Sequence, residues 1–288
     1  MHRSRLRRSQ LALGIVMLVL RTMAAGAQGV LLQIRPRVGD TLHLRLDQQT
    51  ELTGTRQLGG SETVTTMTAT MHVFSRAIVE KSAPTATYVR AVTDSIRLTT
   101  TDARARALED AARESLEGKA MVLRIAPDGT VSLADSSAAS VSRDVAEAVS
   151  LLPAAFPRGP VEVGYSWSRD MPLPGAGHIT AGAPSPSGWL HTKFRLDSLS
   201  KHGTVAYVSM RGEMTPDPDA LRSEAGVPVL DNGVVSGTML VDRARGWLTE
   251  SQFTIVAHST IRLPGSDDIV MRFETRVTQH MKTVERRP

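Results

Sequence analysis

Cysteine is absent from all 288 residues, which excludes disulfides, thiolate metal sites, a Cys nucleophile and a lipidated Cys near the chain start. After Leu20 no apolar run approaches the roughly 18 residues that a helix needs to cross a bilayer. Paired histidines are missing too. The eight His are scattered, with no H-x-H or H-x-x-x-H spacing to suggest a zinc site, so no metal ligand is assigned. No Gly-rich loop follows a strand and opens a helix, so no nucleotide cofactor is expected. Aromatics are only 4% of the chain, and Trp167, Trp189, Trp247, Phe194, Phe253 and Phe273 are spread over strand-like stretches, the pattern of sheet core. Met67, Met71, Met210, Met214 and Met239 read the same way.

What is present begins with an export pattern in residues 1–27. Arg3, Arg5, Arg7 and Arg8 form a basic region, Leu11 to Leu20 an apolar one, and Ala25-Gly26-Ala27 a small-residue cleavage site. Ten apolar residues extend about 15 Å as a helix, half a hydrocarbon core, so removal after Ala27 is expected rather than anchoring. The expected location is the periplasm or the exterior, reached by the general secretory route. Ser9-Gln10 breaks the apolar pair that a twin-arginine signal wants.

Cleavage changes the electrostatic balance. Of the 34 Lys and Arg, five Arg lie in the first 27 residues, which hold none of the 29 acids; the rest carries 29 bases against 29 acids. The high isoelectric point therefore belongs to the signal. A nucleic-acid binder would keep a basic excess, because phosphate neutralisation supplies most of its affinity. None is expected as partner.

The remaining chain is long enough for one large domain or two small ones. Strand-like alternation recurs at Thr41 to Leu46, Thr63 to Val73, Ala86 to Leu98, Phe194 to Leu199, Thr204 to Met210, Trp247 to Ile261 and Ile269 to Met281. Pro127-Asp128-Gly129, Asp231-Asn232-Gly233, Arg245-Gly246 and Pro264-Gly265 carry turn chemistry. The expected fold is mainly β with a few helices (α+β): a curved antiparallel sheet or half-open barrel of meandering hairpins. Helices are expected over Asp102 to Glu117, ended by Gly118, over Ser140 to Leu152, stopped by Pro153, and from Thr215 to Ala225; Pro172 to Gly188 reads as an irregular loop.

The chain also matches itself at an offset near 120 residues. Arg37 to Leu42 matches Glu162 to Trp167, Ala86 to Val89 matches Val205 to Val208, and Gly118 to Val122 with its turn at Gly129 matches Gly237 to Val241 with its turn at Gly246. Two β-rich halves are expected, residues 28–152 and 153–288.

Potential catalytic groups have simpler readings. Ser236 in Gly233-Val234-Val235-Ser236-Gly237 is misplaced for a nucleophile elbow. Pro216-Asp217-Pro218-Asp219 reads as a turn into a helix, and Asp267-Asp268 as a solvated hairpin tip. No catalytic, cofactor-binding or metal residue is assigned.

From Phe156 through Pro160-Val161, Val163-Gly164 and Ser166-Trp167 the chain resembles a family of uncharacterised bacterial exported proteins that place such a signature ahead of a second β-rich half. No activity comes with that resemblance. Its curved sheet and few helices are similar to lipoprotein carriers of the LolA and LolB type, in which a half-open barrel covers an apolar cavity. The sequence thus points first to an exported, non-catalytic protein that binds an apolar small molecule or lipid. An envelope interaction or scaffold module is the alternative, and an unrecognised hydrolase the third class.

Overall fold

The computed structural model describes residues 29–58, 61–101, 105–134, 156–173, 188–217, 228–262 and 269–284. The signal segment, the expected helix over Ser140 to Leu152, most of the expected loop after Pro172 and the Pro264-Gly265 turn lie outside these residues.

Eleven strands form a single antiparallel sheet: β1 (Thr41–Leu58), β2 (Ser61–Ser82), β3 (Thr87–Thr100), β4 (Ala120–Ile125), β5 (Val131–Leu133), β6 (Ser166–Leu173), β7 (Gly188–Leu199), β8 (Val205–Pro216), β9 (Pro228–Asp242), β10 (Trp247–Arg262) and β11 (Ile269–Val284). Their order is β5-β4-β3-β2-β1-β11-β10-β9-β8-β7-β6. The chain starts mid-sheet, meanders to one edge, crosses to the other and meanders back until β11 pairs with β1. Helix α1 (Ala105–Leu116) follows β3 and ends at Gly118, whose φ of +72° suits glycine and whose N–H donates to Thr93 O.

Hydrogen bonds from the segment before β1 show how strongly the sheet curls. The Ile34 N–H donates to Pro127 O (2.9 Å), in the β4–β5 turn, and the Arg35 N–H to Gly246 O (2.8 Å), in the β9–β10 turn. A flat sheet of this order would hold those turns six strand spacings apart, about 29 Å. Neighbouring residues, about 3.8 Å apart along the chain, bind both, so this end is latched nearly round. The latch also meets the lead into β6, through the paired N–H and C=O groups of Val30 and Val161. The sheet does not close into a barrel: β5 and β6 remain its edges.

Side chains packed at the latched end form the core. Leu32 and Ile34 from the latch, Phe156 and Val161 from the β6 lead, and Ile125, Phe194, Leu196, Val208, Val241 and Trp247 from the strands are all buried in one cluster. Trp167 stacks on Phe194 with ring centroids 5.8 Å apart.

The matched segments around Gly39 and Gly164 repeat one local geometry. The N–H of Gly39 (φ +89°) donates to Val79 O (2.9 Å), Asp40 N–H to Arg37 O (3.1 Å) and Val79 N–H to Asp40 O (2.9 Å). In the second half Gly164 (φ +92°) donates to Leu196 O (2.7 Å), Tyr165 to Glu162 O (3.0 Å) and Leu196 to Tyr165 O (3.0 Å). The next hairpins slip register at equivalent places, between Val79 and Lys81 opposite Tyr88, and between Leu196 and Ser198 opposite Tyr207. Gly118 and Gly237 are not equivalent. Arg124 and Leu240 are level with the two tyrosines, so the offset between halves has shrunk by three residues, and Gly118 ends α1 while Gly237 lies inside β9.

Two local expectations also shift. Thr215 and Pro216 belong to β8, with residues 218–225 of the expected helix outside the described residues, and Asp231-Asn232-Gly233 runs within β9 instead of turning. There Asn232 Oδ1 meets His258 Nδ1 at 3.1 Å, and the extra residue is absorbed by a register shift between His258 and Ser259.

Gly237 stands opposite Phe253, where a Cβ would run into the Phe253 ring and the Gln252 carbonyl. Gly237→Ala should lose about 1–3 kcal/mol in urea unfolding, because a clash with backbone cannot be relieved by a rotamer change. An unchanged midpoint would show that β9 and β10 can move apart there.

Candidate functional site

Alternation along each strand, and register between strands, divide the sheet into two faces, since directly opposed residues point the same way. On β1 the inner set is Leu42, Leu44, Leu46, Gln48, Thr50, Leu52 and Gly54. Leu46 is level with Val73 and Met281, Leu52 with Met67 and Thr275, and Thr50 with Ala69 and Val277, which continues to Ile255 on β10. The same face holds the buried cluster of the latched end.

The inner face is almost free of charge across the sheet centre. From Leu42 to Gly54 on β1, Thr65 to Val79 on β2, Phe273 to Thr283 on β11 and Ser251 to Ile261 on β10, no inner residue is Asp, Glu, Lys, Arg or His. The polar groups are hydroxyls and two amides, Gln48 and Gln279, which stand level; Gln48 Nε2 donates to Thr50 Oγ1 (3.3 Å). Phe253 and Ile255 on β10 pack against the core, while farther along this face apolar side chains are only half-buried, Leu46, Leu52, Met67, Phe273 and Met281 among them. The result is a trough, floored by packed residues at the latched end and lined by incompletely covered apolar groups above it.

The outer face carries the charge. Arg45 and His72 flank Asp47 at 2.8 and 2.5 Å, Arg76 holds Asp94 at 2.8 Å, His280 meets Glu250 at 2.9 Å and His258 lies 3.5 Å from Glu274. Partial burial would raise the Asp47 pKa, but hydrogen bonds from His72 and Arg45 outweigh it and hold the carboxyl below its ordinary range. A depressed carboxylate pKa stabilises the fold above the unfolded value of about 4 and loses that contribution as pH falls through the folded value. Asp47→Asn should therefore lower the thermal midpoint at pH 7 slightly and lose less than the parent chain as pH drops below about 4. Parallel curves for the two chains would remove Asp47 from the acid response.

A hydrogen-bonded chain on the outer face has the connectivity of a catalytic triad. His191 Nδ1 lies 2.9 Å from Asp170 Oδ1, and His191 Nε2 lies 3.1 Å from Thr215 Oγ1. Its setting differs from that of a triad, however. The His191 and Asp170 side chains are 48% and 66% exposed on a sheet face, whereas a triad works in a water-poor cleft with its carboxylate buried. We read it as a cross-strand ladder joining β6, β7 and β8.

These pairings were invisible before the register was known. His72, His191, His258 and His280 show no sequence spacing, yet each comes opposite a hydrogen-bonding or charged group on a neighbouring strand. No group of three His, Asp or Glu among the described residues is arranged to hold a metal ion. Asp217 follows β8, while Asp219, Asp267 and Asp268 lie outside the described residues. Ser236 sits mid-strand in β9 rather than at a strand-to-helix turn.

No family model and no curated protein matches the chain. Among solved structures it is similar to DynF from the dynemicin biosynthesis pathway of Micromonospora chersina, 8% identical over 91% of this chain and 92% of that one, with a TM-score of 0.22. A likeness that slight carries no argument about function. No helix among the described residues is long and apolar enough to cross a membrane.

Proposed function

We propose that this is an exported protein that binds an apolar ligand, a lipid or acyl chain, in the trough of its curved sheet and does not transform it. The observation that carries the reading is the inner face itself: an uncharged surface across four long strands, whose apolar side chains beyond the core, Leu46, Leu52, Met67, Phe273 and Met281, are only half-buried. Unused apolar surface of this size and continuity marks a binding surface. The export signal over residues 1–27 supports an envelope or extracellular setting, which intact mass starting at Gln28 would establish.

Withdrawing methylenes from water gains about 0.8 kcal/mol each, so affinity should rise about fourfold per added CH2 in a series of fatty acids displacing a fluorescent probe. Native mass spectrometry of protein purified without detergent should show a co-purified lipid. Failure of the delipidated protein to bind any member of the series would sink the reading. It would favour the interaction module, for which Val38, Val163 and Tyr165, exposed in the leads to β1 and β6, are the candidate contacts.

A further inference from the structure

The outer face of β6 to β9 carries a groove of about 530 Å³ whose floor is organised in rungs. One rung reads Ser168, Lys193, Arg211, Ser236 across the four strands, each level with the next. The neighbouring rung reads Asp170, His191, Glu213, Val234. Two cations directly opposite one another across a strand pair repel and destabilise the sheet. Lys193 and Arg211 nevertheless stand so, exposed, and neither makes an ion pair or hydrogen bond among the described residues.

An acid that could relieve this repulsion is close by and does not. Glu213 follows Arg211 by two positions on the same face, the spacing at which Arg45 Nε donates to Asp47 at 3.0 Å, yet Arg211 and Glu213 remain apart. The groove thus keeps its positive and negative rungs separate, about 6.8 Å from each other along the strands. A second, smaller groove of about 340 Å³ shares Arg211 and Ser236 and extends the polar floor through Ser209, Thr238 and Gln252.

We propose that this groove binds a small zwitterion that bears a phosphate and an ammonium group. The phosphate lies on Lys193 and Arg211, with the Ser168 and Ser236 hydroxyls on the strands to either side; the ammonium lies on Glu213, since Asp170 on the same rung is already held by His191 Nδ1 at 2.9 Å. Arginine's fork and the lysine ammonium offer enough donors for the non-bridging oxygens of a phosphate ester, three in a monoester and two in a diester. The acid rung explains why the ligand is dipolar and not a bare anion, since Glu213 would repel the latter. The site lies on the opposite face from the trough and does not depend on the trough's function.

Calorimetry with phosphoethanolamine, inorganic phosphate and ethanolamine, at pH 8 and low salt, tests the assignment on the full mature chain. Phosphoethanolamine should bind more tightly than either fragment, and K193Q with R211Q should weaken it at least tenfold. The variant E213Q should act with opposite signs, weakening phosphoethanolamine and tightening inorganic phosphate. If E213Q tightens both ligands, or if K193Q alone and K193Q with R211Q both leave phosphoethanolamine binding unchanged while thermal melts show folded protein, the proposal is overturned. Co-sedimentation with phosphatidylethanolamine vesicles then separates the sources of the group: sedimentation that K193Q with R211Q abolishes assigns a lipid headgroup, and binding of the free compound with sedimentation absent or unchanged in that variant assigns a soluble metabolite.

Discussion

Leu32→Ala should cost about 2–5 kcal/mol of folding stability, measured as a fall in the urea midpoint at unchanged slope. Leu32 is 1% exposed and sits in the short segment whose neighbouring amides hold the β4–β5 and β9–β10 turns. Its side chain packs between the two arms of the curled sheet, together with Ile34, Phe156 and Trp247. Truncation leaves a void that backbone relaxation cannot close, because Ile34 and Arg35 on one side and Val30 on the other are already tied to three different parts of the chain. The nearby Leu31, 40% exposed, is the control, and Leu31→Ala should cost less than about 1 kcal/mol. A small loss at Leu32 would mean that the latch follows the curl rather than holding it.

The class of fold was legible because it depends on local signals. Strict alternation in Thr41 to Leu46 and turn residues at Asp128-Gly129 and Arg245-Gly246 act over a few positions, and the structure places a strand start and two turns there. The positive-φ glycines Gly39 and Gly164 share one local geometry, a backbone requirement that leaves a residue-type signature. Pairing of β1 with β11 left no such trace. It joins residues more than two hundred positions apart, and neither strand names its partner by composition. The latch was equally silent, because Ile34 and Arg35 bind through main-chain amides that every residue except proline possesses.

Asp231-Asn232-Gly233 shows the limit from the other direction. Its residues suit a tight turn, but β10 pairs with Asn232, Gly233 and the residues on either side of the triplet, and β8 with Gly233 and the residues after it, so a strand with a register shift at Asp231 satisfies more backbone groups than a turn would. Tertiary pairing overrode a local preference. The candidate site was legible only in part, since apolar alternation in β1 and β11 marks one face as apolar but does not say whether that face is packed or left partly open. That distinction comes from curvature, which the latch sets and composition does not.

Replacing Ile255 by Lys should weaken binding of a fatty-acid probe at least about 100-fold, whereas Val256→Lys, one residue along the same strand, should change it less than about twofold. Ile255 lies on the inner face, level with Val277 and Val235; Val256 lies on the outer face, level with Arg276 and Val234. Both are half-buried, but Ile255 also packs against the core, so the comparison is read only with each variant shown to be folded. Side-chain direction reverses between neighbours in a strand, so the pair changes the same charge by the same chemistry on opposite sides of one backbone. An ammonium at 255 must either remain hydrated in the trough, displacing the ligand, or lose its water against an acyl chain at a cost of several kcal/mol. At 256 it joins a surface already carrying Arg276 and Glu274. Urea midpoints for the two variants separate loss of the site from loss of the fold. Equal effects on binding, with both proteins folded, would place the apolar ligand somewhere other than the inner face.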